Sequence, residues 1–318
     1  MTRFLVLRMV RSLAVVLSLS GIVFALAHLV PGDPATVIAG EQSTPELRAQ
    51  IRAQLGLDRS VWSQYADWIG HAVRGDFGSS LLDGRSVAAQ VWERLPVSLE
   101  LAGYAAVIAV LWGLPAGIWS AMHRGRGIDR SVNSVAFLGL AVPPFVVGAT
   151  LVLFVSTLLP SWPLFSFVPF SQDPGLNLQV LLLPAAALGI PFGATICRYT
   201  RTALLDAMDQ DFMRTAAAKG AGRWRLMLRH GLRNSLLPVV TAGGLQLGVL
   251  VGGTVIIEQV FALPGLGSLI VSSITQHDFP MVQGTILALG CSYVVINLVT
   301  DLLYPLIDPR IRIAGGRP

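Results

Sequence analysis

The sequence predicts an all-α polytopic membrane protein with six transmembrane helices and cytoplasmic N and C termini. Of its 318 residues, 53% are hydrophobic and only 13% are charged, and the mean hydropathy is +0.64. A chain of this composition cannot hide its apolar surface in a water-soluble core, so it belongs in a bilayer. The net charge of +5 does not indicate nucleic acid binding, because the cations gather beside the apolar runs, as the positive-inside rule requires.

Six apolar runs are long enough to cross a hydrocarbon layer of about 30 Å at about 1.5 Å per helical residue. They cover Ser12–Val30, Leu99–Met122, Ser134–Leu159, Leu178–Thr200, Leu236–Ile257 and Gln283–Tyr304. Residues 25–27 are similar to a signal-peptide cleavage site, but the run around them is longer than a usual signal-peptide core, which favours an uncleaved first span. Pro143 and Pro144 predict a kink in the third span.

The charged residues indicate the orientation of the spans. The N-terminus, the loop at Arg124, the loop from Arg198 to Arg233 and the C-terminus hold 3, 3, 8 and 3 of the 23 lysines and arginines. Alternation of six spans puts all four on one side, which is the cytoplasm because cytoplasmic loops carry the excess of cations. Four parts follow: a tail and first span at 1–30, an extracytoplasmic segment at 31–98, a five-helix core at 99–310 with a cytoplasmic loop at 201–235, and a tail at 311–318.

The extracytoplasmic segment is predicted to contain two amphipathic helices. In the first, Thr44 is an N-cap and Pro45 the first helical residue, and apolar side chains recur at intervals of four up to Leu55, so the helix ends near Gly56. The second covers residues 60–73 and carries three aromatic side chains that suit a membrane interface.

The cytoplasmic stretch Asp211–Pro238 holds six of the 23 cations. Its alanines favour a short helix over Arg214–Lys219, which Gly220 interrupts. The helix has two interpretations. It binds anionic lipid through its cations, or it docks on another protein, with small alanines that allow close approach and Phe212 as an apolar anchor. The second interpretation is preferred.

Glycines form a second pattern, in the fifth span. Gly244, Gly248 and Gly252 recur at intervals of four and predict a smooth stripe for close helix contact. The stripe faces either a neighbouring helix of this chain or a second subunit, and the sequence leaves both open.

Acidic residues are rare in the apolar runs. A charge at a helix centre costs about 2.5 to 3.5 kcal/mol, so Glu258 and Asp301 are expected near helix ends or along a polar path. Capping or pairing between helices is the favoured role, and contact with a transported substrate is the alternative. Asn297 lies one turn before Asp301 on the same helix face and is its natural partner.

Catalytic motifs are missing from the sequence. The only lysine, Lys219, is followed by glycine, so no Walker A loop for ATP can form. No HExxH motif occurs, and the two cysteines, Cys197 and Cys291, give neither a disulfide framework nor a four-ligand metal site. A chain with no catalytic role, no cofactor and no metal of its own is therefore expected.

Nine short motifs spread over the whole chain resemble one family, the permease subunits of bacterial ABC importers. The resemblance is to the B-type subunit of the dipeptide, oligopeptide and nickel branch. The motifs are VPGDPA at 30–35, LGLD at 55–58, QYADWI at 64–69, GDFGSS at 75–80, RLPVSLEL at 94–101, RTAAAKGA at 214–221, RHGLRNSLLP at 229–238, LPGLG at 263–267 and DPRIR at 308–312.

The resemblance implies a type I ABC importer permease fold and a multi-pass protein of the cytoplasmic membrane. It implies that the basic loop is the EAA loop, whose short helix couples the permease to an ATPase. The residues concerned are Asp211, Phe212, Arg214, Thr215, Ala216, Ala217, Lys219 and Gly220. Arg214 stands where the generic motif has glutamate, so no salt bridge from that position is carried over.

The resemblance also implies partners and a substrate class. The partners are a second homologous permease, two ATP-binding subunits and an extracytoplasmic solute-binding protein or lipoprotein, together with membrane lipid. Peptides are the expected substrate, and nickel, glutathione and haem are the alternatives within the branch. A secondary transporter driven by an ion gradient is the alternative from a different class, and a membrane-embedded enzyme is disfavoured because no convergent catalytic set is present.

Overall fold

The computed structural model describes residues 2–29, 34–40, 43–54 and 56–307. Its regular structure in these ranges is helical, apart from a bridge between Ser79 and Ser86. The helices are α1 Thr2–Leu29, α2 Pro34–Ala39, α3 Pro45–Gln54, α4 Val61–Ala72, α5 Val87–Met122, α6 Gly127–Ala141, α7 Pro144–Leu158, α8 Pro174–Met208, α9 Asp211–Ala218, α10 Arg223–Arg225, α11 Leu232–Val260, α12 Leu266–Thr275 and α13 Phe279–Ile307. A π-helical segment, Leu226–Gly231, lies between α10 and α11.

Five of these helices, α1, α5, α8, α11 and α13, are long and apolar enough to cross a membrane, and α6 with α7 makes a sixth span if the pair crosses together. The six predicted spans therefore correspond to helices, although α5 begins at Val87 rather than at Leu99. The helices expected between residues 44 and 73 form as α3 and α4. Residues 30–33 of one motif, and the tail from Asp308 with the expected tail 311–318, lie outside the described residues.

The third predicted span is interrupted completely rather than kinked. α6 ends at Ala141, α7 begins at Pro144, and the two helices are bent by 99°. The ring of a proline clashes with a helical conformation of the preceding residue. Two such residues follow each other here, and both are extended, with ψ of 123° at Val142 and 141° at Pro143. Two extended residues in succession redirect the chain.

The chain packs as two compact units. The first unit comprises residues 99–263 with the described parts of 1–5 and 295–318. The second comprises residues 6–98 and 264–294. α9 and the rest of the basic loop, which form the candidate functional site described below, belong to the first unit.

α8 is the central helix of the first unit. The most apolar 18-residue segment of α8 is 72% buried, whereas the corresponding segments of the other four long spans are 17 to 39% buried. α8 contacts α6, α7 and α11. α5 approaches it backbone to backbone: a Cβ placed on Gly113 would lie 2.3 Å from the carbonyl oxygen of Gly193, and one on Gly117 would lie 2.5 Å from that of Cys197. Small residues allow such contact where lipid provides no hydrophobic force between helices.

In the second unit, the buried side chain of Asp278 joins a hairpin to the start of α13. It accepts hydrogen bonds from the hydroxyl of Ser80 at 2.5 Å and from the backbone N–H of Leu81 at 3.3 Å. It also caps α13 by accepting the N–H of Met281 at 3.4 Å. The GDFGSS motif ends at Ser80, so this contact gives the motif's last residue a structural role.

We predict that Gly113→Ala destabilises the first unit. The new methyl group would meet the backbone of Gly193, which cannot rotate away as a side chain can, and overpacking of this kind costs about 1 to 3 kcal/mol. Gly103→Ala in the same helix is the control, because nothing lies within 4 Å of the added Cβ. Thermal unfolding of the two purified variants in detergent checks this, and equal midpoints would contradict the backbone contact.

Candidate functional site

The helix that the basic loop predicts forms as α9. Met213 is buried and Ala216 half-buried. The remaining residues of α9 and its end are exposed: Asp211, Phe212, Arg214, Thr215, Ala217, Ala218, Lys219 and Gly220. An isolated helix of this length is not stable in water. The contact through Met213 therefore holds α9 in place and leaves the rest of its surface accessible.

A glycine ends α9 in a Schellman motif. Gly220 has φ of +82°, its N–H donates to the carbonyl of Ala217 at 2.9 Å, and the N–H of Ala221 donates to that of Ala216 at 3.2 Å. The left-handed residue of this motif is usually glycine. Nothing lies within 4 Å of the position that a Cβ would take, so the backbone conformation, and not a lack of space, requires glycine here.

Met213 packs near Gly231 and so holds α9 beside an apolar cluster that the sequence did not reveal. The position that a Cβ would take on Gly231 lies 3.7 Å from the terminal methyl of Met213 and 3.4 Å from a methyl of Leu204. The residues that form the buried cluster around Leu204 are Ala121, Met122, Leu204 and Met227. α9 is thereby fastened beside the end of α8 and the π-helical segment. In the sequence, this anchor could have been recognised because Met213 is, after Phe212, the second large apolar residue of a helix whose other residues are small or polar.

Phe212 points to a different environment, an open cleft of about 390 Å³. The cleft is also lined by Tyr199, Thr202, Ala203, Asp206, Ala207, Gln210, Asn234, Ser235 and Pro238. Pro238 has no N–H to donate to the carbonyl of Asn234 one turn earlier. Polar side chains and the exposed ring of Phe212 thus line this cleft next to α9.

An ion pair lies at the neighbouring helix ends. Arg201 of α8 donates from Nε to Oδ1 of Asp129 at 2.8 Å and from Nη2 to Oδ2 at 2.9 Å. The carboxylate also accepts from the Ser120 hydroxyl at 2.5 Å, the Gly125 N–H at 2.8 Å and the Asn133 amide at 2.7 Å. Asp129 is 4% exposed, and five donors satisfy it.

Sequence reasoning missed this polar cluster. It counted Arg201 among the cations of the cytoplasmic loop, whereas the structure pairs Arg201 with a buried acid. Asp129 is the one carboxylate of the otherwise basic stretch from Arg124 to Arg130. It also lies in the first turn of α6, where the helix dipole favours an acid. These two features were the available signals.

The predicted glycine stripe divides between two environments. A Cβ on Gly244 would lie 1.9 Å from a methyl of Thr300, and Gly248 is buried, whereas Gly252 is exposed with nothing within 4 Å. A spacing of four rotates each residue about 40° beyond the last, so the two outer glycines face directions about 80° apart. Gly244 also borders an apolar groove of about 520 Å³.

Of Glu258, Asp301 and Asn297, the polar residues that the sequence analysis singled out in the spans, the first two are buried and the third is half-buried. Glu258 is fully buried two positions before Val260, the last residue of α11, and its backbone carbonyl accepts the N–H of Leu263 at 2.9 Å. Asp301 is 6% exposed, and Asn297 is half-buried one turn before it. Contact of these residues with a substrate stays a prediction.

Comparison with known proteins identifies the family. Residues 113–313 match the family described as the binding-protein-dependent transport system inner membrane component, and residues 1–102 match its N-terminal region. The chain belongs to this family. It is thus a permease component of an ABC importer, a multi-pass protein of the inner membrane.

Two named relatives match this permease over nearly its whole length. A chain of Brucella abortus (strain 2308) named as a peptide transport system permease protein is 39% identical over 312 residues, 98% of this permease and 99% of the relative. The glutathione transport system permease protein GsiC of Escherichia coli (strain K12) is 38% identical over the same shares. A chain of the inward-facing MetNI methionine ABC transporter has a TM-score of 0.57 at 17% identity, covering 69% of this permease and 96% of that chain, which supports the fold.

We predict that Met213→Ala loosens α9. Truncation of a buried methionine costs about 2 to 5 kcal/mol, and this side chain is the buried contact of α9. Hydrogen exchange of the α9 amides should therefore accelerate. Phe212→Ala is the matched control, since Phe212 is 41% exposed and its removal should leave the exchange rates unchanged. Equal acceleration in both variants would show that Met213 is not the anchor.

Proposed function

We propose that this permease subunit translocates short peptides across the cytoplasmic membrane, driven by separate ATP-hydrolysing subunits that dock on α9. The complete importer in this proposal contains a second homologous permease, two ATP-binding subunits and an extracytoplasmic solute-binding protein or lipoprotein. The chain itself hydrolyses nothing, and ATP with magnesium is bound by the partner subunits. Its family supports the general scheme, and the geometry of α9 supports the docking site.

The observation that carries the docking site is the exposed surface of α9 on a single buried anchor. Binding to anionic lipid is the competing explanation, and it depends on net positive charge. On α9, however, Asp211 lies 3.6 Å from Arg214 and offsets its charge. The remaining exposed helix residues are Phe212, Thr215 and small alanines, and Lys219, directly after the helix, adds one positive charge. A small, nearly neutral surface with one aromatic side chain favours a protein groove over a lipid surface.

The named relatives support peptides as the substrate class. One relative is named for peptide transport and another for glutathione transport, at 39% and 38% identity. Glutathione is itself a tripeptide, so one substrate class, small peptides, includes both. Nickel and haem remain the alternatives within the branch.

We predict that Gly220→Pro abolishes ATP-dependent uptake and the co-purification of the ATPase subunit. Proline fixes φ near −65°, whereas Gly220 requires +82°, so α9 cannot end as it does. Gly222→Ala is the matched control: it lies in the same loop, its φ is not left-handed, and an added Cβ has open space. Unchanged uptake in Gly220→Pro, with uptake lost on collapse of the ion gradient, would instead establish a gradient-driven transporter.

The substrate class is tested by uptake into cells that carry the complete importer. Labelled dialanine, glutathione and Ni²⁺ are the three probes, each measured with and without an excess of unlabelled dipeptide. We expect ATP-dependent accumulation of at least one peptide probe, and competition by unlabelled dipeptide. Accumulation of Ni²⁺ alone would contradict peptide transport while leaving the docking of the ATPase on α9 intact.

A further inference from the structure

The polar cluster around Asp129 lies next to the apolar cluster around Leu204. In α5, Ser120 of the polar cluster directly precedes Ala121 of the apolar one. In α8, Arg201 lies three residues before Leu204, which is one helical turn. The two clusters are therefore successive layers across the same helix ends, and Met213 fastens α9 beside the second layer.

The two layers differ in how firmly they fix geometry. The apolar layer contains two methionines, whose flexible side chains tolerate sliding between helices. In the polar layer, the Arg201 guanidinium meets both oxygens of Asp129 in parallel hydrogen bonds, which fix orientation as well as distance. A fully satisfied network in a low dielectric is rigid. The polar layer therefore sets how the helix ends are arranged.

We infer that the Asp129–Arg201 pair is a positioning clamp for energy coupling. It holds the cytoplasmic ends of α5, α6 and α8 as one body, so that a displacement of α9 moves three helices together instead of bending the end of α8. The inference rests on the proposed function, in which an ATPase subunit moves α9. Asp129 and Arg201 are positioning residues, because they act through the helices and not on the substrate.

A second ion pair in the same region provides a matched control. Arg124 and Asp209 lie 3.7 Å apart and also join the loop before α6 to the end of α8. Their side chains are 63% and 72% exposed, so water screens the pair and its contribution to the structure is small. Asp129→Asn and Asp209→Asn remove the same charge and differ in burial.

The first test measures the rigidity of the helix ends directly. Spin labels are attached at two exposed sites, Arg130→Cys on α6 and Asp206→Cys near the end of α8, in a Cys291→Ser background, and electron paramagnetic resonance gives their distance distribution in the full chain. A narrow distribution in the otherwise unaltered chain and in Asp209→Asn, with a broader one in Asp129→Asn, supports the clamp. Equal widths in all three overturn it. Arg201→Lys is measured as well, because it keeps the charge but loses the paired hydrogen bonds.

The second test measures coupling in proteoliposomes that contain the whole importer, with the labelled peptide taken up in the assay above as the probe. The peptide imported per ATP hydrolysed should fall about fivefold or more in Asp129→Asn, less in Arg201→Lys and not at all in Asp209→Asn. The amount of ATPase bound per chain should stay constant. A purely structural role would reduce the number of complexes and leave the ratio unchanged, which would overturn the clamp.

The two tests separate failure of the clamp from failure of the proposed function. If the ATPase does not co-purify with the unaltered chain, docking on α9 is wrong. The widths of the spin-label distance distributions then decide whether Asp129 and Arg201 hold the helix ends together. If Asp129→Asn does not assemble with the ATPase, the label widths in Arg201→Lys decide the same question.

Discussion

The backbone contact between α5 and α8 determines what can form at the helix ends. Gly117 packs against Cys197 and Thr200, and residues of the polar cluster follow within one turn on both helices. Ser120 lies one turn beyond Gly117, and Arg201 follows Thr200 directly. Both reach the same carboxylate because no side chain holds the two backbones apart. A buried charge is costly unless partners surround it, so the Asp129 site depends on the close contact.

The attachment of α9 has the opposite character. α9 has one buried methionine, an exposed surface and a glycine at its end. The neighbouring ends of α5, α6 and α8, in contrast, are joined by an ion pair and a backbone contact. A broad apolar face on α9 would bury the side chains that the proposed docking needs to be accessible. A helix held at one point on a rigid base can keep its surface accessible and still transmit force to that base, which is what the proposed coupling to a separate subunit would require.

The sequence predicted features that depend on local pattern. Hydropathy identified the six spans, and the alanines before Gly220 identified α9, because both properties are carried by neighbouring residues. Pairings between distant residues were missed. α5 and α8 each carry glycines four apart around a proline, GLPAG at 113–117 and GIPFG at 189–193, but α11 has the same spacing, and spacing alone does not say which face meets which helix. Arg201 was read as a loop cation for the same reason: its partner lies 72 residues away.

Among the described residues, left-handed glycines follow several helices, for example Gly40 after α2, Gly75 after α4 and Gly220 after α9, whereas α11 and α12 end through left-handed residues that carry side chains. α11 ends through Ala262 at φ of +52° and α12 through His277 at +57°, although a left-handed conformation costs a residue with a side chain about 1 to 2 kcal/mol. In both, the following residue is buried, Leu263 at 1% and Asp278 at 3% exposure, so the surrounding structure holds the turn. Ala221, which follows Gly220, is only half-buried. At an exposed helix end the backbone itself must favour the turn, which explains glycine at the end of the helix proposed to dock.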